Sequence, residues 1–227
     1  MTDQAPTIDH LDPAHAGQAV YTRGFLSVYD AVVYGFNSPV LWRCPKARVI
    51  AHYDANVSAR HLDIGVATGA LLDACHFPAA APELTLMDLN PNSLAAAAAR
   101  LARYAPRTYR ANVLEDWHLE PGTYDSVAMT HLLHCLPGTM AAKGVAFEHA
   151  HRALAPGGTF FGATILGKGV HLSPPTRAAL AISNARRILD NYDDGPAELD
   201  AALSRVFSDR TVTIHGTVAL FTAHKPG

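Results

Sequence analysis

Nowhere does an apolar run approach the roughly 20 residues that a membrane-spanning helix needs, so no membrane partner is expected. Cysteine is scarce: Cys44, Cys75 and Cys135 stand far apart and odd in number. That argues against a disulfide framework, and the paired spacing of a zinc site is missing. Charge is scarce as well. Only 17% of residues are charged, the formal net charge is -2, and Lys and Arg form no run beyond the pair Arg186-Arg187. A nucleic-acid partner normally leaves a basic stripe, so none is expected. No internal repeat is visible, and the one low-complexity patch, Ala95 to Ala99, reads as an alanine-rich helix. The polar start, MTDQAPTIDHLDPAH, lacks the pattern of a signal peptide, and the chain is expected to be cytoplasmic.

What remains is a 227-residue chain, 49% hydrophobic, with enough length for one real core. It is organised around RHLDIGVATGALL, Arg60 to Leu72. An apolar run ends in Asp63, Gly65 and Gly69 follow, and apolar residues resume at helical spacing. This is how a buried parallel strand passes to a helix through a loop whose backbone approaches a ligand closely. Before it, a loose tail reaches about Asp12. A helix over 18–36 carries Val20, Phe25, Tyr29, Val32, Val33 and Phe36. Asn37-Ser38-Pro39 is expected to break it, and a second helix starts near Pro45.

After the central stretch, strands and helices alternate. Strands are expected over His61 to Ile64, Leu84 to Asp88, Arg107 to Ala111, Ser126 to Thr130 and Thr159 to Leu166. Helices are expected from Thr68 to Cys75, from Asn90-Pro91 to Tyr104, and from a Gly138 or Thr139 cap to Pro156-Gly157-Gly158. Two more cover about Pro175 to Leu189 and Pro196 to Phe207. Such alternation points to a doubly wound parallel sheet. The end departs from it: Thr211 to His215 and Val218 to His224 meet at Gly216, too close for a parallel crossover, so they form an antiparallel hairpin.

In a doubly wound sheet, ligands lie beyond the carboxyl ends of the strands. Strand one supplies Asp63, Gly65, Thr68 and Gly69. Strand two supplies Asp88, Leu89 and Asn90, with Asp88 nineteen positions beyond Gly69, where a carboxylate accepts from both hydroxyls of a ribose. Strand three is followed by Asn112, Val113 and Leu114, placed to border an adenine ring. Strand four ends at Thr130 and His131. A dinucleotide loop needs Gly-x-Gly-x-x-Gly to receive a pyrophosphate. Here an acid precedes the loop and Ala67 lies between two glycines. That favours a cofactor with an ammonium end over a pyrophosphate, although an NAD-dependent oxidoreductase remains an alternative.

These segments resemble the class I S-adenosylmethionine-dependent methyltransferases. LDIGVATG is similar to their first motif, LTLMDLNPNSL to the second, YDSVAMTHLLHCLPG to the fourth-strand motif and APGG to the fifth. WRCPKARVIAHYDANVS and LLHCLPG further resemble the small-molecule enzymes of specialised-metabolite biosynthesis. The resemblance implies an α/β fold: a Rossmann-like, doubly wound seven-stranded sheet with an antiparallel carboxyl-terminal hairpin, under an amino-terminal helical lid. Residues 1–57 would be tail and lid, and residues 58–227 the S-adenosylmethionine-binding part, as one structural domain overall. It implies methyl transfer to a small-molecule acceptor, oxygen first and then nitrogen or carbon. A protein that binds this cofactor without methylating is the remaining alternative. The family usually has glycine at Ala67 and an acid at Asn112.

Histidine suits a base working near neutrality. His131 and His134 follow strand four; one of them is a candidate to face the acceptor, with His134 favoured, the competing reading being that both are structural and shape the loop. Their spacing lacks a third metal ligand, so no metal is expected. Cys135 is expected in the core, and His149 and His151 on a solvated helix. The acceptor pocket is expected to draw on Tyr29, Arg43, His134, His171 and Asn184, with Arg187 a further candidate. The aromatic amino-terminal helices leave a homodimer open.

Overall fold

The computed structural model describes residues 21–227; the expected tail, and the part of the first helix before Tyr21, lie outside them. Its centre is a seven-stranded sheet in the order β3-β2-β1-β4-β5-β7-β6. The strands are β1 (Arg60–Ile64), β2 (Glu83–Asp88), β3 (Arg107–Arg110), β4 (Tyr124–Thr130), β5 (Leu154–Ile165), β6 (Asp209–His215) and β7 (Val218–His224). β1 to β5 pair in parallel, while β7 runs antiparallel to both β5 and β6. The strand order reverses between β1 and β4, which makes the carboxyl ends of those two strands the place for a ligand.

Central strands covered on both faces read as continuous apolar runs. Alternate side chains therefore feed two cores. Leu62, Ile64, Val127, Met129 and Phe160 join Phe147, Leu203 and Phe207 on one face. Leu84, Leu86, Ala128 and Phe161 join Val49, Tyr53, Leu71 and Leu101 on the other. Phe160 stacks on Phe207 at 5.6 Å and Phe161 on His61 at 5.9 Å, so neighbouring residues of β5 lock opposite layers.

The amino-terminal cover is α1 (Arg23–Tyr29), which continues directly into a π-helix over Asp30–Leu41. The expected break at Asn37-Ser38-Pro39 is absent, because Pro39 sits inside the π-helix. An α-helix would suffer the proline ring's clash with the carbonyl four residues back. The wider i→i+5 turn relieves it, as the bond from Trp42 N–H to the Asn37 carbonyl (2.9 Å) illustrates. The chain breaks after Trp42 instead, and α2 (Lys46–Asn56) follows.

Other boundaries also differ. α3 (Ala70–Ala74) starts later than Thr68, since Ala67 and Gly69 have positive φ and hold the loop open. α4 (Pro91–Arg100) ends short of Tyr104 and is finished by a 3-10 turn over Ala102–Tyr104. The long helix expected from Thr139 is split into α5 (Met140–Lys143) and α6 (Val145–Ala153). Pro156-Gly157-Gly158 lies within β5, where the pairing with β4 shifts register, rather than closing a helix. α7 (Pro174–Ala185) and α8 (Pro196–Ser204) complete the chain. His149, expected in solvent, is buried against Trp117 and accepts from the Arg152 guanidinium at 2.9 Å. No helix among the described residues is long and apolar enough to cross a membrane.

Candidate active site

A cleft of about 900 Å³, partly open to solvent, lies beyond the carboxyl ends of β1, β2 and β4. Its floor is the loop after β1. Gly65 (φ 76°) and Gly69 (φ 72°) take left-handed conformations that side chains resist. A Cβ on Gly65 would come within 3.0 Å of Leu132, and one on Gly69 within 3.2 Å of Ala97, so the loop, the strand-four turn and α4 close on one another only because both are glycine. Ala67 shares the left-handed conformation at φ 45° without that freedom.

Two carboxylates face the cleft. Asp63 is buried, and its Oδ2 accepts from the Tyr53 hydroxyl at 2.8 Å. Asp88 accepts from Asn90 N–H at 2.8 Å. Burial pushes the Asp88 carboxyl up to about 6, against the lowering effect of backbone N–H groups of Asn90, Ala67 and Val66. Leu89, Asn112 and Val113 border the same end. The Asn112 amide is engaged in its own turn, accepting from Leu114 N–H and donating to Glu115.

The roof comes from the cover. Tyr21, Tyr29 and Tyr34 line the cleft, packed edge to face or tilted within 6 Å of one another in sequence. Burial raises all three phenols, so they are neutral walls. His131 (φ 59°) continues the strand by donating its N–H to the Ala163 carbonyl at 2.7 Å. Both of its ring nitrogens are shielded from solvent and have no hydrogen-bond partner among the described residues. Desolvation lowers its pKa to about 4, leaving a neutral imidazole 6.5 Å from the Tyr34 ring.

His134 is placed otherwise. It is buried, and its Nδ1 accepts from Ile165 N–H at 3.1 Å, with the Thr164 hydroxyl at 3.3 Å. It fastens the strand-four turn to β5 and does not line the cleft, so of the two histidines the one the sequence favoured is the one turned away. Cys135, expected in the core, lines the cleft, and burial pushes its thiol up to about 12.

The cleft thus brings together Asp63, Gly65, Gly69, Asp88, Leu89, Asn112, Val113, Thr130, His131 and Tyr29. Thr68 instead binds Asp30 and Arg100, Asn90 caps α4, and Leu114 packs against the core. Arg43 and His171 are exposed, Arg187 is exposed at positive φ, and Asn184 is bonded to Asn191. None of these four lines the cleft. Tyr53, Leu132 and Leu136 line it although the sequence singled out none of them for the site. Tyr53 lies on the helix expected to start near Pro45, and nothing in the sequence sets it apart there.

Floor and walls fit S-adenosylmethionine: an acid for an ammonium, glycines beneath it, a second acid for a ribose and an apolar slot beside Val113. A Rossmann-like sheet with a reversed last strand and this donor set defines a class I methyltransferase. The comparisons with known proteins agree. Residues 62–160 match the model of a methyltransferase domain. Demethylluteothin O-methyltransferase of Streptomyces thioluteus is 44% identical over 224 residues, covering 98% of this chain and 97% of the relative. The physcion biosynthesis cluster O-methyltransferase of Aspergillus chevalieri is 36% identical over 218 residues, 95% of this chain and 98% of that one. Among solved structures, Haemonchus contortus phosphoethanolamine N-methyltransferase 2 in complex with S-adenosyl-L-methionine has a TM-score of 0.66 at 17% identity, over 97% of this chain and 61% of that one. The chain belongs to the methyltransferase family and is an S-adenosylmethionine-dependent enzyme, which removes the NAD-dependent alternative.

Proposed function

We propose that the enzyme methylates an acidic hydroxyl, of the phenol or enol kind, on a small and largely apolar acceptor. One observation carries this: a neutral imidazole, His131, stands in the cleft with both nitrogens unpartnered among the described residues, under a roof of tyrosines. S-adenosylmethionine, when bound, supplies a methyl group on a sulfonium, reactive enough that the protein's task is alignment and water exclusion. Asp63 would hold the ammonium end, Asp88 the ribose, and Asn112 and Val113 the adenine edge. One ring nitrogen of His131 takes the acceptor's proton. With its pKa lowered to about 4 it is a weak base, better matched to a hydroxyl that ionises readily than to an alcohol. His134 keeps its turn in place. The two O-methyltransferase relatives support oxygen as the acceptor atom and specialised-metabolite biosynthesis as the setting.

In this reading residues 1–57 are tail and helical lid and residues 58–227 hold the cofactor, as one structural domain overall. The free cysteines support a reducing, cytoplasmic setting. A homodimer is carried as a proposal, to be checked by sedimentation velocity. Neither nucleic acid nor membrane is a proposed partner. The function is tested by incubating the enzyme with methyl-labelled cofactor and panels of phenols, enols, amines and alcohols. Label in the phenol or enol products supports the reading. Label confined to amines would replace it, and cofactor binding without transfer to any panel would point to a binding protein.

A further inference from the structure

A chain of polar groups, buried beyond Ser58, runs behind the cofactor acid. Ser58 N–H donates to Ser126 Oγ at 2.8 Å, and Ser126 Oγ lies 2.8 Å from His61 Nδ1. The other ring nitrogen, His61 Nε2, lies 3.4 Å from Asp63 Oδ2, the same oxygen that accepts from the Tyr53 hydroxyl at 2.8 Å. His61, Ser126 and Tyr53 are all within 1% of complete burial. The array contains a serine, a histidine and an aspartate, but it opens on no substrate surface except through Asp63 and Tyr53, which line the cleft. It is therefore no nucleophile.

The hydrogens can be assigned from the acceptors. Were the proton on Nδ1, Nε2 would direct a lone pair at a carboxylate in a dry interior, which is unfavourable. With the proton on Nε2, every contact pairs a donor with an acceptor: Ser126 hydroxyl to Nδ1, Nε2–H to Asp63, Tyr53 hydroxyl to Asp63. Both bonds fall on Oδ2. The carboxylate is thereby fixed about its own axis and Oδ1 is the oxygen left for the cleft. Tyr53 is itself held by edge-to-face contact with Phe161 at 5.1 Å, and His61 by stacking on the same ring, so one phenylalanine of β5 steadies both donors.

We propose that Tyr53 and His61 are positioning residues that aim Asp63 at the α-ammonium of the cofactor, and that Ser126 sets the histidine's tautomer. This rests on the reading of Asp63 as the ammonium site. Its consequence is selective: loss of either donor weakens ligands that carry the amino-acid end and spares those that lack it. A merely structural role would weaken both.

The test compares S-adenosylhomocysteine with 5′-methylthioadenosine, a thioether nucleoside without the amino acid, by calorimetry on the full-length enzyme. Tyr53→Phe keeps the ring packing and is expected to raise the S-adenosylhomocysteine Kd about tenfold, as for loss of a hydrogen bond to a charged group. The 5′-methylthioadenosine Kd is expected to stay within about twofold. Ser126→Ala should produce a smaller shift of the same selectivity, and gives a second route if the tyrosine variant folds poorly. Equal weakening of both ligands, or none, overturns the proposal. Asp63→Asn separates the levels: if it leaves the preference for S-adenosylhomocysteine intact, the ammonium reading itself fails. If it abolishes that preference while Tyr53→Phe and Ser126→Ala do not, only the positioning role fails.

Discussion

Asp30, at the start of the π-helix, accepts a 2.6 Å hydrogen bond from the hydroxyl of Thr68, in the glycine loop. Arg100 of α4 completes the contact, 2.7 Å from the other Asp30 oxygen and 3.2 Å from Thr68 Oγ1. The cover is thus latched to the loop that forms the floor of the cleft. At its far end it is fixed, since Thr176 donates to the Leu41 carbonyl and Thr217 to that of Trp42. Between these points lies a π-helix, a geometry poorer in stability than an α-helix. Opening for ligand exchange is expected at the Asp30 end.

Asp30→Ala should therefore release ligand faster without unfolding the enzyme. Both partners are about one-third exposed, so solvent screening limits the ion pair to about 1 kcal/mol or less of stability. The S-adenosylhomocysteine dissociation rate, followed by stopped-flow tyrosine fluorescence, is expected to rise several-fold while the melting temperature barely moves. An unchanged rate would show that the cover does not gate exchange.

Ala67→Gly should keep or tighten cofactor affinity. The left-handed conformation costs an L-residue about 1–2 kcal/mol, and glycine removes that strain at the expense of a more flexible unfolded chain. A net gain of up to about 1 kcal/mol in denaturant unfolding is expected. Gly65→Ala should act in the opposite sense, because its new Cβ would press on Leu132. Loss of stability in the first variant would mean that the Ala67 methyl makes a contact worth more than the strain.

The end of the cleft proposed for the cofactor was legible because its signals are local. Asp63, Gly65 and Gly69 fall within one strand-loop-helix unit, and Asp88 follows at a spacing set by one βα unit. Asn90-Pro91 announces a helix start that the structure reproduces, with Asn90 Oδ1 accepting from Asn92 N–H. The acceptor pocket and the contacts that brace the loop after β1 were not legible, since their partners meet only in three dimensions. Asp30 reaches Thr68 across 38 positions, and His61 reaches Ser126 across 65. His131 and His134 look equivalent in sequence. The left-handed turn at His131, which sends one ring to the cleft and the other to β5, has no glycine or proline to betray it. Arg43, His171 and Asn184 were polar residues near the right elements, and none of them lines the cleft.

His131→Ala should lower kcat at least about tenfold while S-adenosylhomocysteine affinity stays within about twofold, as for loss of a general base. Asparagine tolerates the left-handed conformation better than most residues, so His131→Asn controls for backbone effects and should be equally slow. Normal turnover in either variant, measured with a phenolic acceptor, would take the proton away from His131.

Lys143 and Asp194 form a buried ion pair at 2.6 Å, with side chains 0% and 1% exposed. Lys143 also donates to the Asp190 carbonyl, and Asp190 N–H in turn donates to the His134 carbonyl at 2.8 Å. Burial raises the Asp194 carboxyl despite the ammonium beside it. Lys143→Met should cost about 3–5 kcal/mol by stranding a buried charge, whereas Lys143→Met with Asp194→Leu should recover much of it. Urea denaturation of the two variants checks the order. A double variant worse than the single would mean that the pair stabilises the turn beyond balancing its own charges.

The remaining prediction concerns pH. Asp88 is pushed up to about 6 by burial, so in the free enzyme its neutral form is favoured relative to the unfolded chain. The stability this contributes is full below the unfolded value near 3.8 and is lost as pH rises through about 6. The ribose recognition proposed for Asp88 has the opposite sense, because two hydroxyl donors need an ionised acceptor. Affinity for S-adenosylhomocysteine is therefore expected to be level at neutral pH and to weaken by up to about tenfold per pH unit below about 6. His131, lowered to about 4, stays neutral across that window and adds no inflection there. Asp88→Asn should bind more weakly at pH 8 and show a nearly flat profile down to about pH 5, since no carboxylate is left to titrate. Calorimetry over that range discriminates: an inflection surviving in the asparagine variant would take the pH control of cofactor binding away from Asp88 and from the ribose end.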